Sequence, residues 1–205
     1  MVNIFGMFSV ALLWIAWCVL HSLLVSPRVV AFFKAAFKEK FAFYRMGYVL
    51  FSLLSLAPLL LYQNSLVQRT FFVWHGPWMF ARLFLLSYSI ILFAGGLFSY
   101  NLKYFTGISQ MQAFLVKKPG PVPPFVVKGI LRYVRHPWYS GGLVFIWAFG
   151  PVTKITLVSK FVLSLYLLIG TFLEERKLLA EIGEPYFCYQ QKVPMFIPWP
   201  WTGSF

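Results

Sequence analysis

The feature that most constrains this chain is the stretch Ile4–Val25, apolar throughout except for Gly6, Ser9, His21 and Ser22. As a helix rising 1.5 Å per residue it covers ~33 Å, enough to cross a hydrocarbon core of ~30 Å. Similar runs follow at Met46–Tyr62 and Phe80–Tyr100, and a closely spaced pair at Trp138–Val152 and Ile155–Leu173. The shorter member of that pair barely spans. Only 11% of residues are charged and 60% are hydrophobic, whereas soluble domains carry about 25% charged residues. The expected fold is therefore all-α: a polytopic membrane protein of about five transmembrane helices, forming one integral membrane domain over residues 1–205. Three N-terminal helices fall in 1–100, a loop with an interfacial helix in 101–137, and a helical hairpin plus tail in 138–205. The first run lacks a basic leader and a small-residue cleavage site, so it reads as a retained helix.

The net charge of +13 is distributed unevenly. Arg28, Lys34, Lys38, Lys40 and Arg45 crowd one connection, with Phe32, Phe33, Phe37, Phe41 and Phe43 among them. Lys103, Lys117, Lys118, Lys128, Arg132 and Arg135 fall in another, which has no acid. Gln63–Met79 is poor in charge and holds Trp74, His75 and Trp78. Excess Lys and Arg marks cytoplasmic loops, so the N-terminus is expected outside, the C-terminus cytoplasmic and the rings at headgroup level. This explains the basic charge without nucleic acid. Val127, Ile130, Leu131 and Val134 recur at helical spacing and predict a short amphipathic helix over Val126–Val134. The proline-rich stretch Lys117–Pro124 cannot continue a helix and reads as a linker or lid.

Acidic residues are scarce, five in all and all Glu. Two of them, Glu174 and Glu175, adjoin at the end of the last apolar run. An ionisable side chain there is costly and marks a functional site by default. Two antiparallel helices return the chain to the face it left, so this pair is expected to meet Arg135-His136-Pro137-Trp138-Tyr139-Ser140-Gly141. A Ser-His-Asp arrangement is impossible without Asp. His21, His75 and His136 lie on separate segments, so no metal site is expected, and Cys18 and Cys188 fit neither a disulfide nor a CxxC pattern. His21-Ser22 reads first as a helix–helix hydrogen bond.

The stretch from Arg135 to Gly141, Glu174-Glu175-Arg176 and the tail Gly183-Glu184-Pro185-Tyr186-Phe187-Cys188-Tyr189 together resemble the isoprenylcysteine carboxyl methyltransferase superfamily of integral membrane methyltransferases. His21-Ser22, Tyr44-Arg45 and Tyr104–Gln110 add a narrower likeness to bacterial methanethiol S-methyltransferases and the NnrU-like proteins near them. The resemblance implies an S-adenosyl-L-methionine site at the cytoplasmic face of a bacterial inner membrane, covered by the tail and open sideways to a small lipophilic acceptor among membrane lipids. Arg135, His136 and Glu175 are its expected catalytic residues. His136, Pro137, Tyr139, Gly141, Glu174, Glu175, Tyr186 and Tyr189 are the expected cofactor contacts.

The chemistry of these residue types agrees. The cofactor has a carboxylate, which Arg135 and His136 can meet, and an ammonium and ribose hydroxyls, which either Glu can meet. Gly141 would leave room for close backbone approach, and the tyrosines would offer rings. The acceptor stays open between a thiol, a carboxylate and a lipid amine. Two other classes remain: a non-enzymatic NnrU-like accessory or transport protein, and a reductase related to sterol reductases.

Overall fold

The computed structural model describes residues 4–67, 69–122 and 124–199. In chain order its helices are α1 (Ile4–Val25), α2 (Pro27–Phe37), α3 (Tyr44–Ser65), α4 (Trp78–Ser99), α5 (Leu102–Phe105), α6 (Ile108–Leu115), α7 (Pro137–Ala148), α8 (Lys154–Ile182) and α9 (Glu184–Lys192). A 3-10 segment, Lys38–Phe43, joins α2 to α3, and two short strands, β1 (Thr70–Phe72) and β2 (Val152–Thr153), pair antiparallel. Four stretches are long and apolar enough to cross a membrane: Ile4–Val25, Pro27–Ser65, Trp78–Ser99 and Lys154–Ile182. The chain is an all-α integral membrane protein. It packs as two units, Met1–Arg69 with Asn101–Pro124, and Thr70–Tyr100 with Phe125–Phe205.

In the first unit, α1 and α3 are joined by polar pairs at nearly every turn. Ser9 Oγ lies 2.8 Å from the Tyr62 hydroxyl, Trp14 Nε1 donates to Gln63 Oε1 at 2.8 Å, and Trp17 Nε1 donates to Ser55 Oγ at 3.0 Å. Lower down, His21 meets the Tyr48 hydroxyl and Ser52 Oγ, and the Tyr44 hydroxyl donates to Leu24 O at 2.6 Å. Lipid tails give no hydrophobic force between helices, so such bonds and close packing hold them together. At the end of this hairpin Arg45 Nε donates to Phe105 O at 2.9 Å, and its guanidinium lies 4.8 Å from the Tyr104 ring centre. Gly107, at φ +88°, turns the chain so close that a Cβ there would sit 2.6 Å from Met46 N.

In the second unit α4 and α7 approach over glycines. A Cβ on Gly96 would lie 2.2 Å from Trp138 Nε1, and one on Gly95 would lie 2.6 Å from Ile130. Trp138 has no freedom to withdraw, since its indole donates to Phe93 O at 3.1 Å and meets the Tyr100 ring edge-on. Twelve residues make α7 only ~18 Å long, so it cannot cross alone, and the chain continues extended through β2. Backbone left unpaired at membrane depth is prohibitive. Here Lys160, only 5% exposed, donates to Ile146 O and, at 2.9 Å, to Phe149 O, while Arg82 Nε donates to Ala148 O at 3.3 Å. Thr153 and Thr156 then form a capping box that starts α8.

The amphipathic helix expected over Val126–Val134 is not formed. Its residues make only a 3-10 turn, Gly129–Arg132, because Gly129 takes φ +55° against Ser99, whose Oγ accepts from Ile130 N at 3.2 Å. Glycine spacing yields a clear test: Gly96→Ala should lower stability by about 1–3 kcal/mol through overpacking. Gly47→Ala, with nothing within 4 Å, should be neutral or stabilising. Thermal unfolding of the two variants in one detergent checks the contrast.

Candidate active site

The second unit brings Arg135, His136, Glu175 and Tyr186 into one cluster. Arg135 and His136 stand just before α7, Glu175 lies near the end of α8, and Tyr186 is on α9. Gly183, at φ +75°, turns α8 into α9 and so folds Tyr186 and Gln190 back over α8. One turn apart, those two side chains reach the same carboxylate.

Glu175 is buried, with a side chain 8% exposed. Its Oε1 accepts from Arg135 Nε at 2.9 Å, His136 Nε2 at 2.5 Å and the Tyr186 hydroxyl at 2.8 Å. Its Oε2 accepts from Arg135 Nη2 at 2.9 Å and from Gln190 Nε2. An acceptor filled this way, with a forked guanidinium on it, is a carboxylate. The phenol of Tyr186 is pushed well above its ordinary range by burial, then by its bond to Glu175 and that residue's charge. Burial does the same to Tyr189, with Arg135 opposing and Glu175 adding. Both stay hydroxyl donors at physiological pH.

Arg135 is the hub between this carboxylate and the tail. Its Nη1 donates to Gln190 O at 2.9 Å and to Val193 O. The backbone extends the clasp: Arg135 N donates to Pro194 O at 2.9 Å, His136 N to Met195 O at 3.2 Å, and Trp199 N to Tyr133 O at 3.0 Å. The guanidinium is thus engaged by protein groups on three of its nitrogens. Tyr189 is also structural: its hydroxyl donates to Leu131 O at 2.6 Å, and its ring packs with Tyr186, Val193 and Phe125. Pro137 is buried at the first turn of α7, where its missing N–H is harmless. Gly141 faces α4, where an added Cβ would lie 3.2 Å from Leu92 Cβ and Ser89 O. Its Cβ side is filled by α4.

Two expected residues remain less committed. Glu174 has a side chain 40% exposed, with His136 Nδ1 4.0 Å from its Oε2 and the Tyr139 hydroxyl beside it as a hydrogen-bonding neighbour. His136 is held by Glu175 at Nε2 and by an edge-on contact with the Tyr139 ring at 5.6 Å. Because Nε2 carries the hydrogen toward Glu175, the neutral ring has its lone pair on Nδ1. The arrangement is a carboxylate-oriented imidazole beside a half-exposed carboxylate. Sequence reasoning missed Gln190, although its i,i+4 spacing from Tyr186 was the available signal. Among the described residues no group of His, Cys or Glu is placed to hold a metal ion.

The N-terminal signature residues have other occupations. His21 stacks on Trp17 and bonds across to α3, and Tyr44-Arg45 and Tyr104–Gln110 form the clasp around Gly107. Gln110 Nε2 completes that clasp by donating to Tyr104 O at 3.1 Å.

Glu175→Gln should leave the buried Arg135 without its counter-charge and lower stability by about 3–5 kcal/mol. Glu174→Gln and Glu181→Gln should stay within about 0.5 kcal/mol of the parent. Unfolding midpoints of the three variants measure the difference.

Comparison with curated proteins gives consistent relatives. The chain is 32% identical over 157 residues to methanethiol S-methyltransferase 1 of Bradyrhizobium diazoefficiens, covering 76% of this chain and 54% of that protein. It is 34% identical over 159 residues to methanethiol S-methyltransferase of a Pseudomonas species, covering 75% and 59%. For the Crocosphaera subtropica enzyme of the same name the figures are 33% over 159 residues, 75% and 60%. The chain thus spans a little over half the length of these relatives. No family profile and no solved structure matches it. Through about three quarters of its length, this chain is thus similar to the bacterial methanethiol S-methyltransferases.

Proposed function

We propose that the protein is a methyltransferase using S-adenosyl-L-methionine to methylate a small thiol at a membrane face. The observation that carries this reading is the division of labour between the adjacent glutamates. Glu175 is saturated by protein donors, which leaves the half-exposed Glu174 and the Nδ1 of the buried His136 beside it as the less committed pair. The names of the relatives supply the reaction class, and a thiol is the acceptor in those names.

The donor set fits the cationic end of the cofactor. Glu174 is the anion for its ammonium or ribose hydroxyls, with the Tyr139 hydroxyl and ring alongside. When bound, the cofactor supplies a sulfonium-activated methyl group. The protein's own task is to align the acceptor, exclude water and take a proton. A small thiol ionises near pH 8.5, and only its thiolate is a strong nucleophile. His136 Nδ1 accepts that proton while Glu175 holds the ring and stabilises the imidazolium. The packed ring of Tyr186, Tyr189 and Val193 and the clasped tail keep water from the buried side. Arg135 acts as a positioning residue in this scheme.

Uneven basic loops support a location in a bacterial inner membrane, N-terminus outside and C-terminus cytoplasmic. A cysteine placed at Lys118 is then protected from membrane-impermeant label on intact cells. One at Gln68, a position outside the described residues, is expected to react.

Titration of the purified protein tests the cofactor assignment. S-adenosylhomocysteine should bind and NADPH should not, and Glu174→Gln should weaken binding while Glu181→Gln leaves it unchanged. Equal, small effects from both variants would return Glu174 to a solvated helix surface. Methylation of methanethiol should rise with pH as thiolate accumulates, and His136→Gln should depress it more at neutral pH than above pH ~8.5. Turnover of a farnesylcysteine analogue with none of any small thiol would replace the acceptor by a carboxylate.

A further inference from the structure

In the first unit, two lysine pairs far apart in sequence lie on adjoining segments. Lys38 and Lys40 lie on the 3-10 segment after α2; Lys117 and Lys118 follow α6. Helix α6 packs against that segment, and the Phe43 and Phe114 rings meet edge-on at 5.3 Å. All four lysines are exposed, and none is in an ion pair among the described residues. Glu39 is the one acid among them.

Backbone geometry adds a second observation. Lys38 (φ 49°) and Lys117 (φ 53°) are the two residues other than glycine with positive φ among the described residues. Lys117 sits in a helix-ending turn, with Lys117 N donating to Phe114 O at 3.1 Å and Lys118 N to Ala113 O at 2.9 Å. Glycine or asparagine is the usual occupant of that left-handed position. The chain instead places a cation there, and a second lysine of positive φ, Lys38, caps the end of α2. Part of the compensation is the negative end of each helix dipole, and an anion bound at the lysines would add to it.

These segments also expose apolar side chains. Phe37, Leu115 and Val116 are exposed beside the lysines, and Phe32 is exposed one turn earlier on α2. Cations interleaved with exposed rings and aliphatic side chains suit a ligand with an anionic head and a hydrocarbon body. A free phosphate would answer the charges and leave the apolar residues in water.

We propose that Lys38, Lys40, Lys117 and Lys118 form a docking site for an anionic phospholipid, which fastens α6 and the 3-10 segment to the membrane surface. Occupancy stabilises the local fold of both segments by bridging their lysines.

Hydrogen exchange on the full-length protein in nanodiscs tests this. Discs of phosphatidylcholine are compared with discs of phosphatidylcholine mixed with phosphatidylglycerol. Each lysine near an anionic surface contributes a factor of about five, so exchange in peptides covering 34–43 and 112–118 should slow by roughly tenfold or more with phosphatidylglycerol. Peptides covering 160–175 should not change. A variant with all four lysines changed to Gln should lose the response, and Lys177→Gln, which alters an exposed lysine elsewhere, should keep it. Equal exchange in both lipids, or an unaltered response in the four-lysine variant, overturns the proposal. So does protection by inorganic phosphate in phosphatidylcholine discs, which would make the occupant a soluble anion.

Discussion

The structure of the second unit depends on a single buried carboxylate. Glu175 takes five hydrogen bonds from four residues, and these come from the segment before α7 and from α9. Burying a charge is costly unless it is paired and its lone pairs are filled. Here both conditions are met, and meeting them fixes three pieces of chain at once. Arg135 extends the constraint, because the guanidinium that grips Glu175 also grips the carbonyls of Gln190 and Val193. The tail is therefore ordered by the same charge that orders the site. Such a pair contributes less to net stability than to uniqueness, since few alternative packings could satisfy every donor.

Much of this was legible in the sequence. Long apolar runs announced the spans, and five acids among 205 residues made Glu174-Glu175 conspicuous. Hairpin topology then placed the pair opposite Arg135-His136, and the two do meet. What the sequence could not distribute were the roles. Arg135 and Tyr189 have the right chemistry for a cofactor, yet Arg135 donates to Glu175 and to carbonyls of the tail, and Tyr189 to Leu131 O. Gly141 was expected to receive a ligand, and α4 fills that space. The helix anticipated over Val126–Val134 had sound periodicity, but Gly129 could adopt a positive φ and Ser99 was waiting to bond the freed amide of Ile130. The missing helix has one cause: a tertiary partner outranked a local preference.

The N-terminal likeness takes on a different meaning in the structure. His21, Tyr44, Arg45, Gly107 and Gln110 are engaged in joining α1 to α3 and in folding α5 and α6 back onto the start of α3. They describe a scaffold. Open chemical groups are concentrated in the second unit, at Glu174 and His136.

The brevity of α7 follows from the charges on its neighbour. Helix α8 presents Lys160 to the carbonyls at the C-terminal end of α7 and Glu175 to His136 at its N-terminal end. Fifteen residues separate those charges, ~22 Å along α8, against ~18 Å for the twelve residues of α7. A helix dipole favours anions at its N-terminus and cations at its C-terminus, and does so most where water is scarce. One long helix therefore carries both complementary charges for a short antiparallel one, at a spacing that matches its length. Sliding α7 by a turn would strand either the lysine or the glutamate. This accounts for a lysine inside an otherwise apolar helix, for the acidic pair at its far end, and for the fixed height at which His136 meets Glu174.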